Sequence, residues 1–427
     1  MRIIKAADLE ESFFEYEEME EIAVVKEILG DVKTNGDDAV RGYTLQFDEV
    51  ALRELRVETN ERREAYLHCS KEIISCIKQA GMNIEKFARK QLKPFKDFEI
   101  EITPGVFCGQ RVIPIERVGV YVPAGRFPLV SSLLMCVIPA KIAGVEEIAV
   151  CSPPSYNKSV HPMILAAAEM VGVDEIYRIG GAQAIAAMAY GTKTIKKVNK
   201  IVGPGNKYVV MAKREVFGVV GIDFMAGPTE IMIIADEKAD PRIVAADLLA
   251  QAEHDREAVP ILVTTSFTFA EKVKEEITLQ LHELGTKSIA VFSVEKNGII
   301  IIVNDMKEAI ALANRKAPEH LELLVKTPSP YTTKLRNYGS LFLGKNSTQV
   351  LGDYGSGLNH VLPTNGSARY TGGLGVKDFI KLQTTLRVIK KGLSAIGPTA
   401  KALAEMEGLE GHTKSILMRM KEKRKLK

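Results

Sequence analysis

Apolar and polar positions divide the chain into stretches with different periods. Up to about residue 100 the apolar positions recur at mixed spacings of three and four, as in MEEIAVVKEILGDVKTNGDDAVRGYTLQFD and again from Asn60 to Gln91, which predicts amphipathic helices. FEIEITPGVFCGQRVIPI is rich in β-branched residues and interrupted at Pro104–Gly105, so it predicts two short extended segments. From Val118 short apolar runs alternate with longer helix-forming ones. GVYVP, EEIAVCSPP, DEIYRIGG, NKIVGPG and VVGIDFMAGP read as strands, separated by the helices SSLLMCVIPAKIAGV, HPMILAAAEMVGV, AQAIAAMAYGT and NKYVVMAKREVFG. A second run follows, with EIMIIAD, VPILVTTS, SIAVFSV, IIIIVND, HLELLVK and SLFLG as strands and helices that include FAEKVKEEITLQLHELG and MKEAIALANRKA.

This succession predicts an α/β fold of two doubly wound, Rossmann-like parallel-sheet domains with helical N-terminal and C-terminal extensions. The expected divisions are residues 1–112, helical with short strands; 113–229, the first α/β domain; 230–380, the second; and 381–427, a helical tail broken at Gly397–Pro398. The two runs are built alike, but their identity is too low to mark a repeat. After Gly344 the chain loosens into KNSTQVLGDYGSGLNHVLPTNGSARYTGGLGVKDF, and so long a loop in a compact domain is expected to carry function.

Composition narrows the class. A chain of 427 residues exceeds what one hydrophobic core usually serves, and 46% hydrophobic with 26% charged residues is ordinary for a soluble globular protein. A net charge of +3 gives no support to a nucleic-acid or membrane-surface role, although residues 10–21 are Glu-rich and the tail KEKRKLK is basic. The five cysteines, Cys69, Cys76, Cys108, Cys136 and Cys151, form no CxxC and no zinc-finger spacing, which implies reduced thiols and a cytoplasmic location. The N-terminus has no apolar stretch of signal-peptide length and no run approaches a membrane span.

Candidate chemistry begins at Asp240–Pro241, a helix start with a capping acid and a proline where no donor is needed. In the helix that follows, Asp247, Gln251 and His254 are four and three residues apart and share one stripe. That stripe is either a solvated polar face or a ligand-bearing one, and the segment alone leaves both open. In doubly wound sheets ligands bind at the carboxyl ends of strands, which here carry Pro123-Ala124-Gly125-Arg126, Gly180-Gly181-Ala182-Gln183, Gly203-Pro204-Gly205-Asn206 and Ala226-Gly227-Pro228-Thr229-Glu230. Small residues there admit a ligand to the backbone, and a helix N-terminus offers free N–H groups to an anion. Neither GxGxxG nor GxxxxGK[ST] occurs, so a bound nucleotide is held without those fingerprints. Of the seven histidines, His254, His320, His360 and His412 lie beside acids or in loops, and His68, His161 and His282 read as structural. Glu319–His320 at a strand start sets an acid next to a base that titrates near neutrality.

With these segments in place the chain resembles the histidinol dehydrogenase family over essentially its whole length. The resemblance rests on GVYVP, IPAKIAGV, IYRIGGAQAIAAMAYGT, VGPGNKYV, AGPTEIMIIAD, LLAQAEHD, APEHLEL, GDYGSGLNHVLPT, DFIK and EGLEGH, in family order. It implies one Zn²⁺ per subunit held by Gln251, His254, Asp353 and His412, the last supplied by the partner subunit of a homodimer with shared active sites. It implies Glu319 and His320 as the catalytic pair, His320 taking the alcohol proton and Glu319 activating the water that attacks the aldehyde. It implies substrate contacts from Thr229, His360 and Glu407, with Gln251, His254, His320, Asp353 and His412 bordering the substrate, and NAD contacts from Tyr121, Gln183 and Asn206. The implied reaction is oxidation of L-histidinol through L-histidinal to L-histidine with two NAD⁺ reduced, the last step of histidine biosynthesis.

Three positions depart from the family pattern: Pro123-Ala124-Gly125 replaces Pro-Gly-Gly, Thr229 replaces the usual Ser, and YTGGLGV stands where SGLSV is common. These resemble a paralogous branch of zinc- and NAD-dependent dehydrogenases acting on a sulfonated propanediol, where Arg126 would meet an anionic group. A non-catalytic binding homologue is a third reading, which the intact PEH and EGLEGH motifs oppose. Mn²⁺ or Co²⁺ can also occupy a mixed nitrogen and oxygen ligand set.

Overall fold

The computed structural model describes residues 1–15, 23–124, 127–154, 158–225 and 227–421. Gly125, Arg126 and Ala226 lie outside the described residues. The chain opens with β1 (Arg2–Lys5), crosses a helical stretch between residues 23 and 92, and forms an antiparallel pair of β2 (Phe98–Thr103) and β3 (Val106–Pro114). Strands β4 (Arg117–Tyr121), β5 (Glu147–Ser152), β6 (Glu175–Arg178), β7 (Lys200–Val202) and β8 (Gly221–Ile222) build a parallel sheet in the order β6-β5-β4-β7-β8. Strands β9 (Glu230–Ala235), β10 (Val259–Thr264), β11 (Ile299–Ile302), β12 (His320–Leu324) and β13 (Ser340–Leu343) build a second parallel sheet in the order β1-β11-β10-β9-β12-β13. β14 (Ile380–Val388) joins β3 antiparallel, and the helices Lys390–Met406 and Glu410–Lys421 end the described chain.

The α/β class follows from burial. β4 and β9 are buried along their whole length, as strands covered by helices on both faces must be, and they read as nearly continuous apolar runs. The N-terminal helices belong to that cover: Val25, Ile28, Leu29 and Val32 pack with Ile185 and Met188 on one face of the first sheet. Ile77, Ile84 and Ala88 pack with Leu133, Val137 and Phe379 on the other. No helix of the described residues is long and apolar enough to cross a membrane.

Several sequence expectations are corrected. SIAVFSV is not a strand but lies within the helix Lys287–Lys296, where the buried Ile289, Ala290, Ser293 and Val294 follow a helical spacing. Residues 2–5, in the stretch read as helical, form β1 and extend the second sheet beside β11. The tail after residue 380 is not helical at first: Ile380 to Val388 pair with Pro114 back to Val106, residue for residue. Gly397–Pro398 does not break the helix, which runs through Pro398 to Met406 and lacks only the donor that proline cannot supply.

In the first sheet β4 lies between β5 and β7, so the chain reverses its direction of travel between β4 and β7. A crevice at such a point receives ligands in doubly wound sheets. Gly203, just after β7, adopts φ +115°, and a Cβ there would collide with the Tyr121 carbonyl. The turn is fixed from below by a buried ion pair of Lys213 and Asp223: Lys213 Nζ donates to Gly203 O at 3.0 Å, and Gly203 N donates to Asp223 Oδ2 at 2.8 Å. Replacing Asp223 by Ala strands a buried ammonium and opens this turn. The expected loss is about 3–5 kcal/mol of unfolding free energy, read from urea denaturation.

Candidate active site

The catalytic candidates gather at the amino ends of β9 and β12, which are adjacent and pair His320 with Ile231. In the second sheet the candidates thus lie at the amino ends of the strands, opposite to the carboxyl ends where doubly wound sheets usually bind ligands. Thr229 and Glu230 enter β9, and Glu319 and His320 enter β12, so the acid/base residues lie where these strands begin. Ser132, in the first turn of the helix after β4, lies with Oγ 3.1 Å from His360 Nε2, and Asn359 Nδ2 donates to Met135 O at 2.7 Å. These contacts join the carboxyl side of the first sheet to the amino side of the second.

Glu319 is buried and held by donors: its Oε2 accepts from the Thr229 hydroxyl at 2.5 Å and from Glu230 N at 2.9 Å, and Gln251 Nε2 donates to Thr229 Oγ1. His320 Nδ1 lies 3.5 Å from Glu319 Oε2 and 3.3 Å from the Glu230 carbonyl. A carbonyl only accepts, so Nδ1 carries a hydrogen and Nε2 is the basic atom of the neutral ring. That Nε2 is buried without a hydrogen-bond partner, 3.6 Å from Asp353 Oδ1. His360 Nδ1 lies 3.1 Å from the Asp353 carbonyl and by the same reasoning donates to it. Burial acts to lower the His320 pKa, but the charge of Glu319 and then the contact with Asp353 outweigh it and hold the ring well above its ordinary value. Burial would raise Asp353, yet His320, His360 and His254 together keep it below the usual carboxylate range. His360 is pushed down by burial.

The expected metal ligands divide into two groups. Gln251 ends the helix Pro241–Ala252 and is buried, whereas His254 lies in the turn beyond that helix, exposed, so the helical stripe ends before it. Gln251 Oε1 and Asp353 Oδ1 are buried with no hydrogen-bond partner. Orphaned buried oxygens are costly unless something binds them, and an amide and a carboxylate oxygen are donor types that suit a cation with mixed oxygen and nitrogen ligands. Among the described residues no three His, Cys, Asp or Glu side chains converge at metal-holding spacing. His412 and Glu407 are not brought to this cluster: both are exposed in the C-terminal helices.

The NAD candidates sit apart, around the crevice of the first sheet. Tyr121 ends β4, its hydroxyl accepting from Gly181 N at 3.1 Å and pushed up to about 12 by burial. Gln183 is buried with Oε1 unpartnered, and Asn206 Oδ1 caps the helix Lys207–Val216 by accepting from Tyr208 N and Val209 N at 3.1 Å.

Sequence reasoning missed Ser132, Phe342 and Glu322, and named Glu230 only as part of a strand-end turn. An acid on each of two otherwise apolar strands, in EIMIIA and HLELL, was the available signal. Phe342 stacks on the His320 ring, centroids 6.0 Å apart. Gly352 packs against the same ring, and a Cβ there would come within 2.6 Å of Phe342 Cε1. Gly352→Ala therefore displaces the ring that stacks on His320, with an expected loss of about 1–3 kcal/mol in stability, measured by thermal melting, and a fall in kcat.

Comparison with known proteins shows the family. The histidinol dehydrogenase family profile matches residues 14–420. A histidinol dehydrogenase of Methanosarcina barkeri is 46% identical over 402 residues, 94% of this chain and 92% of that one. One from Listeria monocytogenes is 47% identical over 399 residues, 93% and 92% of the two chains. The crystal structure of histidinol dehydrogenase from Elizabethkingia anophelis superposes with a TM-score of 0.91 at 40% identity, covering 96% of this chain and 95% of that one. The chain belongs to the histidinol dehydrogenase family, oxidoreductases of the final, NAD-dependent step of histidine biosynthesis.

Proposed function

We propose that this chain oxidises L-histidinol to L-histidine in two successive hydride transfers to NAD⁺, with His320 and Glu319 as its acid/base pair. The observation that carries the reading is the buried sequence of contacts from Gln251 through Thr229, Glu319 and His320 to Asp353. His320 Nε2 takes the proton of the substrate hydroxyl while hydride leaves the carbon for NAD⁺. Glu319 then accepts a proton from the water that adds to the aldehyde, and His320 serves again as the hydrate loses its second hydride. Thr229 and His360 orient the substrate. Tyr121, Gln183 and Asn206 border the NAD site, and the contact of Ser132 with His360 supports bringing the nicotinamide end to the reacting carbon.

Gln251, His254 and Asp353, with the partner subunit's His412, would hold a Zn²⁺ ion. When bound it supplies a Lewis acid for the hydroxyl oxygen and offsets the Asp353 charge that otherwise favours the His320 proton. A homodimer is supported by apolar residues that one chain leaves uncovered. Phe98, Ile100, Ile102, Leu382 and Leu386 are exposed on the antiparallel sheet, and Leu403, Met406 and Leu409 on the C-terminal helices that carry Glu407 and His412. Exposed apolar surface of that extent marks an interface.

The test is turnover with zinc and NAD⁺. Two NADH per L-histidinol and no NADH from dihydroxypropanesulfonate are expected, and the opposite preference sinks the reading in favour of the paralogous branch.

A further inference from the structure

Two acids beneath the site have no part in the chemistry above. Asp247 and Glu322 are both buried, Glu322 completely. Their carboxyl groups adjoin each other. Glu322 Oε1 accepts from Gln349 N at 2.8 Å, but no donor faces Glu322 Oε2. Its neighbour is the Asp247 carboxyl, which is already accepting the Thr348 hydroxyl on Oδ1 at 2.8 Å. Two carboxyl groups in contact satisfy each other only if one carries a proton. Burial and then the Asp247 charge push Glu322 up, which favours Glu322 as the holder of that proton.

The pair sits where three elements of the site meet. Glu322 is two residues beyond His320 on β12 and so faces the same side of the sheet. Asp247 is one helical turn before Gln251. Gln349 and Thr348 begin the short helix Gln349–Tyr354 that presents Asp353, and Gln349 Nε2 also donates to the Asp247 carbonyl at 2.9 Å.

We propose that Asp247 and Glu322 share one proton and act as positioning residues, joining the strand of His320, the helix of Gln251 and the segment of Asp353 into one frame. Neither touches a reacting atom. The proposal rests on the site reading above for its consequence, because the frame matters to turnover only if His320, Gln251 and Asp353 act there.

Glu322→Gln and Glu322→Ala separate a shared proton from mere bulk. The glutamine keeps an oxygen for Gln349 N and supplies N–H donors to Asp247, whereas the alanine leaves Asp247 with the Thr348 hydroxyl alone and Gln349 N without its acceptor. With L-histidinol, Glu322→Ala is expected to lower kcat roughly 10- to 100-fold, with KM for NAD changed less than about twofold. Glu322→Gln is expected to restore kcat to within about threefold of the parent. Hydrogen–deuterium exchange of the holoenzyme reads the frame without turnover: the peptide containing Gln349 should exchange at least about tenfold faster in the alanine variant and at the parent rate in the glutamine variant. A glutamine variant as impaired and as fast-exchanging as the alanine one overturns the shared proton. Unchanged exchange in both variants overturns the frame. Altered exchange with unaltered kcat leaves the frame standing and refutes its positioning role, a result distinct from failure of the site reading, which a fully active His320→Asn would reveal.

Discussion

Replacing His320 by Asn is expected to lower the turnover of L-histidinol about 10³-fold. Asparagine fits the space and can still donate toward the Glu230 carbonyl, but it has no atom that accepts and releases a proton near neutrality. The lost function belongs to Nε2, a buried basic nitrogen that no hydrogen bond occupies. Replacing Glu319 by Gln tests the division of labour. The amide still meets Thr229 and Glu230 N through its oxygen, so the fold is little disturbed, but water is no longer activated. With L-histidinal supplied directly, Glu319→Gln should lose about as much as it does with L-histidinol, whereas a purely structural Glu319 would leave both rates near the parent value. Thermal melting guards the comparison, because the His320 ring lies between Glu319 and Asp353 and its loss removes the group that both acids contact. Full activity in His320→Asn would falsify the assignment.

How much of this was legible beforehand varies with the range of the forces involved. The βα succession and its class were readable because each parallel strand is an apolar run with its own covering helix. The errors fell where partners are far away in sequence. β14 pairs with β3 across more than 260 residues, and although Ile380, Leu382, Leu386 and Val388 alternate with polar positions, Leu382 and Leu386 stay exposed in a single chain, so no core marks the strand. β1 is four residues whose strand character comes from lying beside β11, some 300 residues on. SIAVFSV has the composition of a strand, and only the spacing of Ile289, Ala290, Ser293 and Val294 reveals the helix.

The site was legible as a set of motifs and much less as a geometry. Glu319–His320 declared itself, but nothing local tells that Asp353 lies at His320 Nε2 or that Thr229 bridges Gln251 to Glu319. The helix with Gln251 shows both sides of this. Asp247 shares its stripe and seemed idle in sequence, because its partner Glu322 lies on another element. His254 belongs to the same stripe by spacing, yet the helix ends at Ala252 and leaves it exposed in the turn.

That exposure sets up the second large effect. Within one chain Gln251 Oε1 and Asp353 Oδ1 wait unpartnered while His412 lies exposed on a separate helix pair. If the partner's His412 completes the ligand set, His412→Ala should weaken zinc binding by more than the 10–100-fold that loss of an outer-shell contact costs, and turnover should fall with zinc content. Mixing variants then decides whose histidine it is. In a dimer of one His320→Asn chain and one His412→Ala chain, sites built across the interface are unequal. One carries both lesions, and the other combines an intact His320 with an intact His412. Random reassociation of equal amounts gives mixed dimers as half the population, so activity should recover to about a quarter of the parent value from two nearly inactive parents. Sites built within single chains would each carry one lesion, and the mixture would stay as inactive as its components.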